Sequence, residues 1–155
     1  MHKLFLILAF FATLSASAQI GRRFPSERKE ITDPVTGHKL IFLTSTPQGD
    51  SKIYQTHNQW TADGQWLIFR SNRARNEAFA VNEKTGDIVQ VTEGGYSGML
   101  NVGRLSMKLY FLRYKNERPD DRDSRRPTGP LQVIEVNLAA VLADSKSGQI
   151  GRVHV

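Results

Sequence analysis

Short apolar runs separated by turn signals dominate the chain after residue 31. Runs of β-branched and aromatic residues stop at pairs such as Asp63-Gly64, a pattern typical of β-strands joined by tight turns. No segment between residues 31 and 137 has the period of a helix, so this region is predicted to be all-β. The predicted strands are 40–44, one around 53–54, one ending near Trp60, 66–70, 78–82 and 88–92. The segment NLAAVLADSK, residues 137–146, is compatible with a short helix in a loop between strands.

The strand pattern repeats along the chain. Residues 67–69 match residues 109–111, 42 positions later, and 80–82 match 135–137. The Thr36-Gly37 turn with its following strand likewise resembles Thr85-Gly86. A period of about 40 to 50 residues, with four strands in each repeat, is typical of a β-propeller blade. The sequence therefore predicts about two four-stranded antiparallel blades of a longer β-propeller, with a small stand-alone β domain as the alternative.

The predicted blades should pack face to face. Their apolar contacts are expected to include Trp66, Ile68, Val81, Leu109, Phe111 and Val136. Two blades alone would leave open sheet edges, which favour pairing with another chain. We therefore expect self-association through the blade edges.

The first eighteen residues have the pattern of an export signal. Lys3 provides a positive charge, residues 4–14 are apolar, and Ala16-Ser17-Ala18 fits a cleavage site. The apolar stretch is shorter than the roughly twenty residues that span a bilayer. Residues 1–18 are thus predicted to be a signal peptide and residues 19–155 the N-terminal blades of an exported, periplasmic propeller. A buried amphipathic helix is the other interpretation.

Charge and cysteine content narrow the choice of partner. The chain has no cysteine, which excludes disulfides and thiolate metal sites, and its formal net charge is +6. A basic exported protein suits an anionic partner such as nucleic acid, a membrane surface or an acidic polysaccharide. Basic residues interleaved with aromatic ones, as on a nucleic-acid platform, are missing, so nucleic acid is not predicted as the partner. No segment after residue 18 is apolar enough to anchor the chain, so a membrane is not predicted either.

Three residues beside the hairpin at Asp63-Gly64 are candidates for binding an anion. His57 precedes the first strand of the hairpin, and Arg70 and Arg73 follow the second. Arginine grips a carboxylate with two parallel hydrogen bonds. The competing interpretation is that each arginine is a solvated loop charge and that His57 has a structural role. No catalytic and no metal-binding residue is predicted in this chain.

Three segments together resemble the oligogalacturonate lyases. They are YQTHNQWTADGQWLIFRSNR, EAFAVNEKTGDIVQVTEGGYSG and SMKLYFLR, and the resemblance runs from about Thr32 to about Leu138. These lyases are seven-bladed β-propellers that cleave pectin-derived oligogalacturonides by β-elimination. The resemblance implies a lyase-like protein whose partner is an acidic oligosaccharide. The pattern W-T-x-D-G-x-W-L-I-F also occurs in TolB-like periplasmic propellers, so a non-catalytic binding or scaffold module is the alternative.

The chemistry implied by the resemblance needs residues that this chain does not match. In the family, a divalent metal, typically manganese, is held by several histidines and a glutamine, and a histidine removes the proton at C5. The segment Gln55-Thr56-His57 does not reproduce that ligand pattern. The resemblance therefore implies supporting, substrate-binding roles for His57, Arg70 and Arg73, with base and metal ligands in later blades.

Overall fold

A computed structural model describes residues 19–115 and 129–151. The predicted signal peptide lies outside these ranges. Within them, no helix has the length and apolar character needed to cross a membrane. The elements are β1 (Arg23–Phe24), β2 (Lys29–Thr32), β3 (Lys39–Phe42), β4 (Ser51–Lys52), β5 (Trp66–Ser71), β6 (Glu77–Asn82), β7 (Ile88–Gln90), β8 (Ser97–Val102), β9 (Lys108–Tyr114), β10 (Leu131–Asn137) and α1 (Leu138–Lys146).

The strands form two antiparallel sheets and a separate hairpin. The first sheet has the order β1-β7-β6-β5-β4, the second has the order β10-β9-β8, and β2 pairs with β3 alone. The predicted all-β, antiparallel architecture is thus confirmed, and so is the short helix after residue 137. The prediction of four strands in each sheet differs from the five and three strands found in the described part of the chain. The fifth strand arises because β1, at the N-terminal side, adds to the free edge of β7.

The turn at Asp63-Gly64 shows how local chemistry shapes the first sheet. Gly64 has φ +67°, a left-handed conformation that glycine adopts without steric cost. The Asp63 carboxylate accepts hydrogen bonds from the Thr61 hydroxyl at 2.6 Å and from the Gln65 amide at 3.1 Å. The Thr61 amide then donates to the Trp66 carbonyl at 2.9 Å, which begins the pairing with β5. The predicted tight turn is therefore confirmed.

One apolar core joins the two sheets and the helix. Ile68 of β5 and Ala80 of β6 belong to the same buried cluster as Leu109 and Phe111 of β9. Val136 and the buried residues of α1 complete this cluster, and Trp66 packs against it. Burying a side chain the size of Ile68 contributes about 1.5–3 kcal/mol, so this shared cluster is what holds the two sheets together.

Val81 is not in the core between the sheets. It packs with Phe69, Phe79 and Ile88 in a second cluster on the opposite face of the first sheet. The reason is the two-residue period of a strand, since Ala80 faces the second sheet and its neighbour must face away. The predicted contact of Val81 is thus wrong, and those of Trp66, Ile68, Leu109, Phe111 and Val136 agree with the structure.

Candidate functional site

Arg70 lies at the end of β5 and is exposed to solvent. Its Nη2 donates a hydrogen bond of 3.0 Å to the main-chain carbonyl of Lys52. Arg70 is two residues after Ile68 in the same strand, so both side chains are on the face that meets the second sheet. This single main-chain anchor fixes the direction of the guanidinium and leaves other N–H groups available to an anion.

His57 lies on a segment that leaves β4, an edge strand of the first sheet. Lys52 pairs with Phe69, so an uninterrupted strand would place residue 54 opposite Leu67. Trp60 occupies that position instead, which means that six extra residues loop out between β4 and Trp60. The loop is closed by a bond of 3.0 Å from the His57 amide to the Tyr54 carbonyl.

The half-buried His57 ring reaches the second sheet. Its Nδ1 lies 3.4 Å from the carbonyl oxygen of Leu100 in β8, and the ring is 5.3 Å from that of Tyr54. The loop therefore links β4 and β8, which are edge strands of the two sheets. His57 and Arg70 share the side of the first sheet that faces β8.

Arg73 has a different environment. Its side chain is 3% exposed, and its guanidinium bonds Glu27 at 2.6 Å and Asp50 at 2.5 Å. It also donates to the Ser71 hydroxyl at 2.7 Å and stacks 5.6 Å from the ring centre of Phe69. Because Phe69 is part of the second apolar cluster, Arg73 and Arg70 lie on opposite faces of the first sheet. The structure thus brings His57 and Arg70 to one side and separates Arg73 from them.

The Glu27 carboxylate connects Arg73 to the β2–β3 hairpin. It accepts bonds from the amides of Ser45 and Thr46, at 2.9 and 3.0 Å, and from the Thr46 hydroxyl at 2.8 Å. Burial by itself would raise the pKa of Glu27, but these bonds and the one from Arg73 outweigh it and lower the pKa from 4.5 to about 2. Glu27 is therefore ionised at neutral pH, and the Glu27–Arg73–Asp50 group is a partly buried ion triad.

Sequence reasoning missed a buried carboxyl, that of Glu77. This residue is 3% exposed and accepts bonds from the Thr92 hydroxyl at 2.6 Å and the Gly95 amide at 2.9 Å. Burial raises its pKa, while the bonds from Thr92 and Gly95 and the charge of Arg113 act in the opposite direction. Arg113 holds the same loop by donating to the carbonyls of Gly95, at 3.1 Å, and Glu93. The available signal was a glutamate at the start of the apolar strand EAFAVN, where an acid is unusual.

The residues present do not fit the manganese site implied by the resemblance. Across residues 19–115 and 129–151, no group of three or more histidine and acidic side chains is arranged to hold a metal ion. His57 has a backbone carbonyl and a tyrosine ring as its neighbours, and the Glu27 and Asp50 carboxylates are paired with Arg73. No step of a reaction is assigned to a metal in this part of the chain.

Comparison with solved structures finds two oligogalacturonate lyases with a similar fold. An oligogalacturonate lyase in complex with manganese matches 78% of this chain with a TM-score of 0.58 and 19% sequence identity. The oligogalacturonate lyase of Vibrio parahaemolyticus matches the same share with a TM-score of 0.58 and 22% identity. The chain covers 29% of the length of each of these proteins. No protein-family model and no curated protein matches the sequence. The fold of this chain is therefore similar to a part of these lyases.

Proposed function

We propose that this chain is part of an exported, oligogalacturonate lyase-like propeller and contributes to binding an acidic oligosaccharide. The observation that carries the proposal is the similarity in fold to two such lyases over 78% of the chain. The formal charge of +6 and the pattern of an export signal support an anionic partner outside the cytoplasm. Export itself stays a prediction.

In this proposal Arg70 and His57 contact the substrate. Arg70 is exposed and held in direction by the Lys52 carbonyl, so it can pair with a uronate carboxylate without first being ordered. His57 lies on the looped-out inner segment, where its Nε2 can hydrogen-bond a sugar hydroxyl. Each of these roles is a binding role, and base and metal chemistry are assigned to other parts of a longer protein.

Arg73 serves the proposed site indirectly. Its guanidinium is paired with two carboxylates, so it positions the segments around Glu27 and Asp50 and does not itself bind a uronate. This modifies the prediction that all three residues share one anion-facing surface. Arg73 remains a supporting residue, acting through the loop that it holds.

Titration of the full chain with digalacturonate, followed by NMR, tests the proposal. We expect saturable binding that weakens with salt and is absent for a neutral galactose disaccharide. Replacing Arg70→Gln keeps a donor for the Lys52 carbonyl but removes the charge, and should weaken binding at least fivefold. Arg75→Gln, at an exposed arginine in the loop after β5, is the matched control and should leave binding unchanged.

The outcomes separate the candidate functions. Equal weakening by the Arg70 and Arg75 variants would mean that general surface charge attracts the sugar. Lack of uronate binding would favour the non-catalytic TolB-like module. Unsaturated-product absorbance from the chain with digalacturonate and manganese would contradict the assignment of catalysis to other parts of the protein.

A further inference from the structure

Tyr96 is a half-buried residue at the end of the loop that joins the two sheets. The loop leaves β7, and β8 begins at Ser97, directly after this tyrosine. The ring packs against the apolar core shared by the sheets and lies edge-on to Phe111 of β9, with the ring centres 6.2 Å apart. It therefore lies between the sheets, on the face of the first sheet from which Arg70 projects.

Three main-chain groups around Tyr96 are held by side chains. The Gly95 amide donates to the Glu77 carboxylate at 2.9 Å, and the Gly95 carbonyl accepts from Arg113 at 3.1 Å. The Tyr96 carbonyl accepts from the Asn76 side chain at 3.2 Å. The backbone is thus fixed on both sides of the tyrosine, and the core packing fixes its ring. A residue held in this way loses little conformational freedom when it binds a ligand.

The contact between Asn76 and the loop is unusually close. Asn76 has φ +57°, a left-handed conformation that is uncommon for a residue with a side chain. Gly95 has φ +75°, and a Cβ at this position would lie 2.8 Å from the Asn76 Nδ2. Sparsely populated backbone conformations are concentrated at sites of binding and catalysis. This arrangement favours a role for Tyr96 beyond the packing of the core.

Arg70 is near Tyr96 at the same end of the shared core. Arg70 pairs with Ala78 in the first sheet. Asn76, which bonds the Tyr96 carbonyl, is two residues before Ala78. Burial raises the pKa of Tyr96, the charge of Arg70 opposes this rise, and the charge of Glu77 adds to it. The net shift is upward, so the hydroxyl keeps its proton at neutral pH and can donate to an anion.

We propose that the Tyr96 hydroxyl and the Arg70 guanidinium bind the same carboxylate of an acidic oligosaccharide. The inference rests on the proposed function and adds a second residue to its anion site. Arg70 bonds the Lys52 carbonyl through Nη2, and its remaining N–H groups can bond part of a carboxylate. A carboxylate has about four lone-pair positions, so the Tyr96 hydroxyl can donate to one that the arginine leaves unused. Such O–H to carboxylate bonds are short and strong.

Glu77 acts in this site as a positioning residue. Its carboxylate holds the Gly95 amide, next to Tyr96, and is too deeply buried to contact the sugar. The charge of Arg113 partly offsets that of Glu77, which limits the repulsion that a bound carboxylate would meet. Glu77 therefore affects binding through the position of the tyrosine.

Calorimetric titration of the full chain with digalacturonate tests the proposal. Tyr96→Phe removes the hydroxyl and keeps the ring, so the affinity should fall about fivefold or more while urea unfolding stays unchanged. Tyr110→Phe is the matched control and should leave the affinity unchanged. Tyr110 follows Leu109 in β9 and alternates with it, so it lies on the face of the second sheet away from the shared core.

A double variant tests whether the two residues share one carboxylate. In the Arg70→Gln background, Tyr96→Phe should weaken binding less than about twofold, because its partner is already misplaced. Losses that simply multiply would overturn the shared contact. An unchanged affinity for Tyr96→Phe, with Arg70→Gln still weakened, would overturn this inference and leave the proposed function intact. Absence of binding by the parent chain would overturn both.

Variants of Glu77 test the positioning role. Glu77→Ala should weaken binding, and Glu77→Gln, which keeps an acceptor for the Gly95 amide, should restore most of the affinity. In the Tyr96→Phe background, Glu77→Ala should cause no further loss, because Glu77 acts through the tyrosine hydroxyl. A further loss of the same size in that background would overturn the positioning role.

Discussion

Arg73 and Glu27 are 46 residues apart in sequence, and their side chains, 3% and 12% exposed, meet at 2.6 Å. The contact joins the end of β5 to the segment that leads into β2. Asp50 completes the group from the loop before β4. Arg73, which the sequence predicted to bind an anion, therefore links three segments of the chain to one another.

Removing the Arg73 guanidinium should be strongly destabilising. In Arg73→Ala, two partly buried carboxylates would lose their counter-charge, and we expect a loss of about 2–3 kcal/mol in the free energy of unfolding. Arg75→Ala removes an exposed arginine of the same loop and should change stability by about 0.5 kcal/mol or less. Urea unfolding followed by circular dichroism compares the two variants. A loss below about 1 kcal/mol for Arg73→Ala would mean that the triad does not contribute net stability.

The pKa of Glu27 predicts a loss of stability in acid. Its folded-state pKa, about 2, lies below the value of 4.5 expected for an unfolded chain. The unfolded state therefore binds the proton first as the pH falls, so the contribution of Glu27 is complete above about pH 5 and disappears between 4.5 and 2. The Glu27→Gln variant should show a shallower decline over that window than the parent chain. Equal slopes for the two proteins, measured by urea unfolding at pH 5, 4 and 3, would contradict the assignment.

We expect the Glu77 carboxylate to stabilise the loop at residues 92–95. Replacing it with alanine leaves the Thr92 hydroxyl and the Gly95 amide without their acceptor, and we expect a loss of about 2–3 kcal/mol. Faster amide exchange at Gly95 should accompany the loss. The control is Glu83→Ala, at an exposed acidic residue beyond the other end of β6. If both variants lose the same small amount, the buried network has no special role.

The apolar core between the sheets should be sensitive to truncation, and the outer face of the second sheet should not. Ile68→Ala removes a fully buried side chain and should cost about 2–5 kcal/mol. Val133→Ala affects a β10 residue that is 74% exposed, so its expected cost is about 0.5 kcal/mol or less. Thermal unfolding of the two variants measures the difference. A comparable cost at Val133 would show that another surface covers β10 in solution.

Local sequence was enough to predict several of the strands and turns of this protein, but not β1, β2 or β8. The Asp63-Gly64 turn, the strand 66–70 and the helix after Asn137 all depend on nearby residues, since turn conformation, strand propensity and helix capping act over a few positions. Asn137 caps the helix by accepting the Ala140 amide at 3.1 Å. The repeated Thr-Gly turn was also visible in the sequence, because the same local bonds require the same residue types.

Only the tertiary structure decided which face and which partner each residue has. Alternation along β6 requires Ala80 and Val81 to face opposite sides, but packing of the second sheet against one face determines which of them joins the shared core. Arg70 and Arg73 look equivalent in sequence, yet one is exposed and the other meets carboxylates 23 and 46 residues away. Such long-range pairing depends on how distant segments pack, which the residues beside an arginine do not specify.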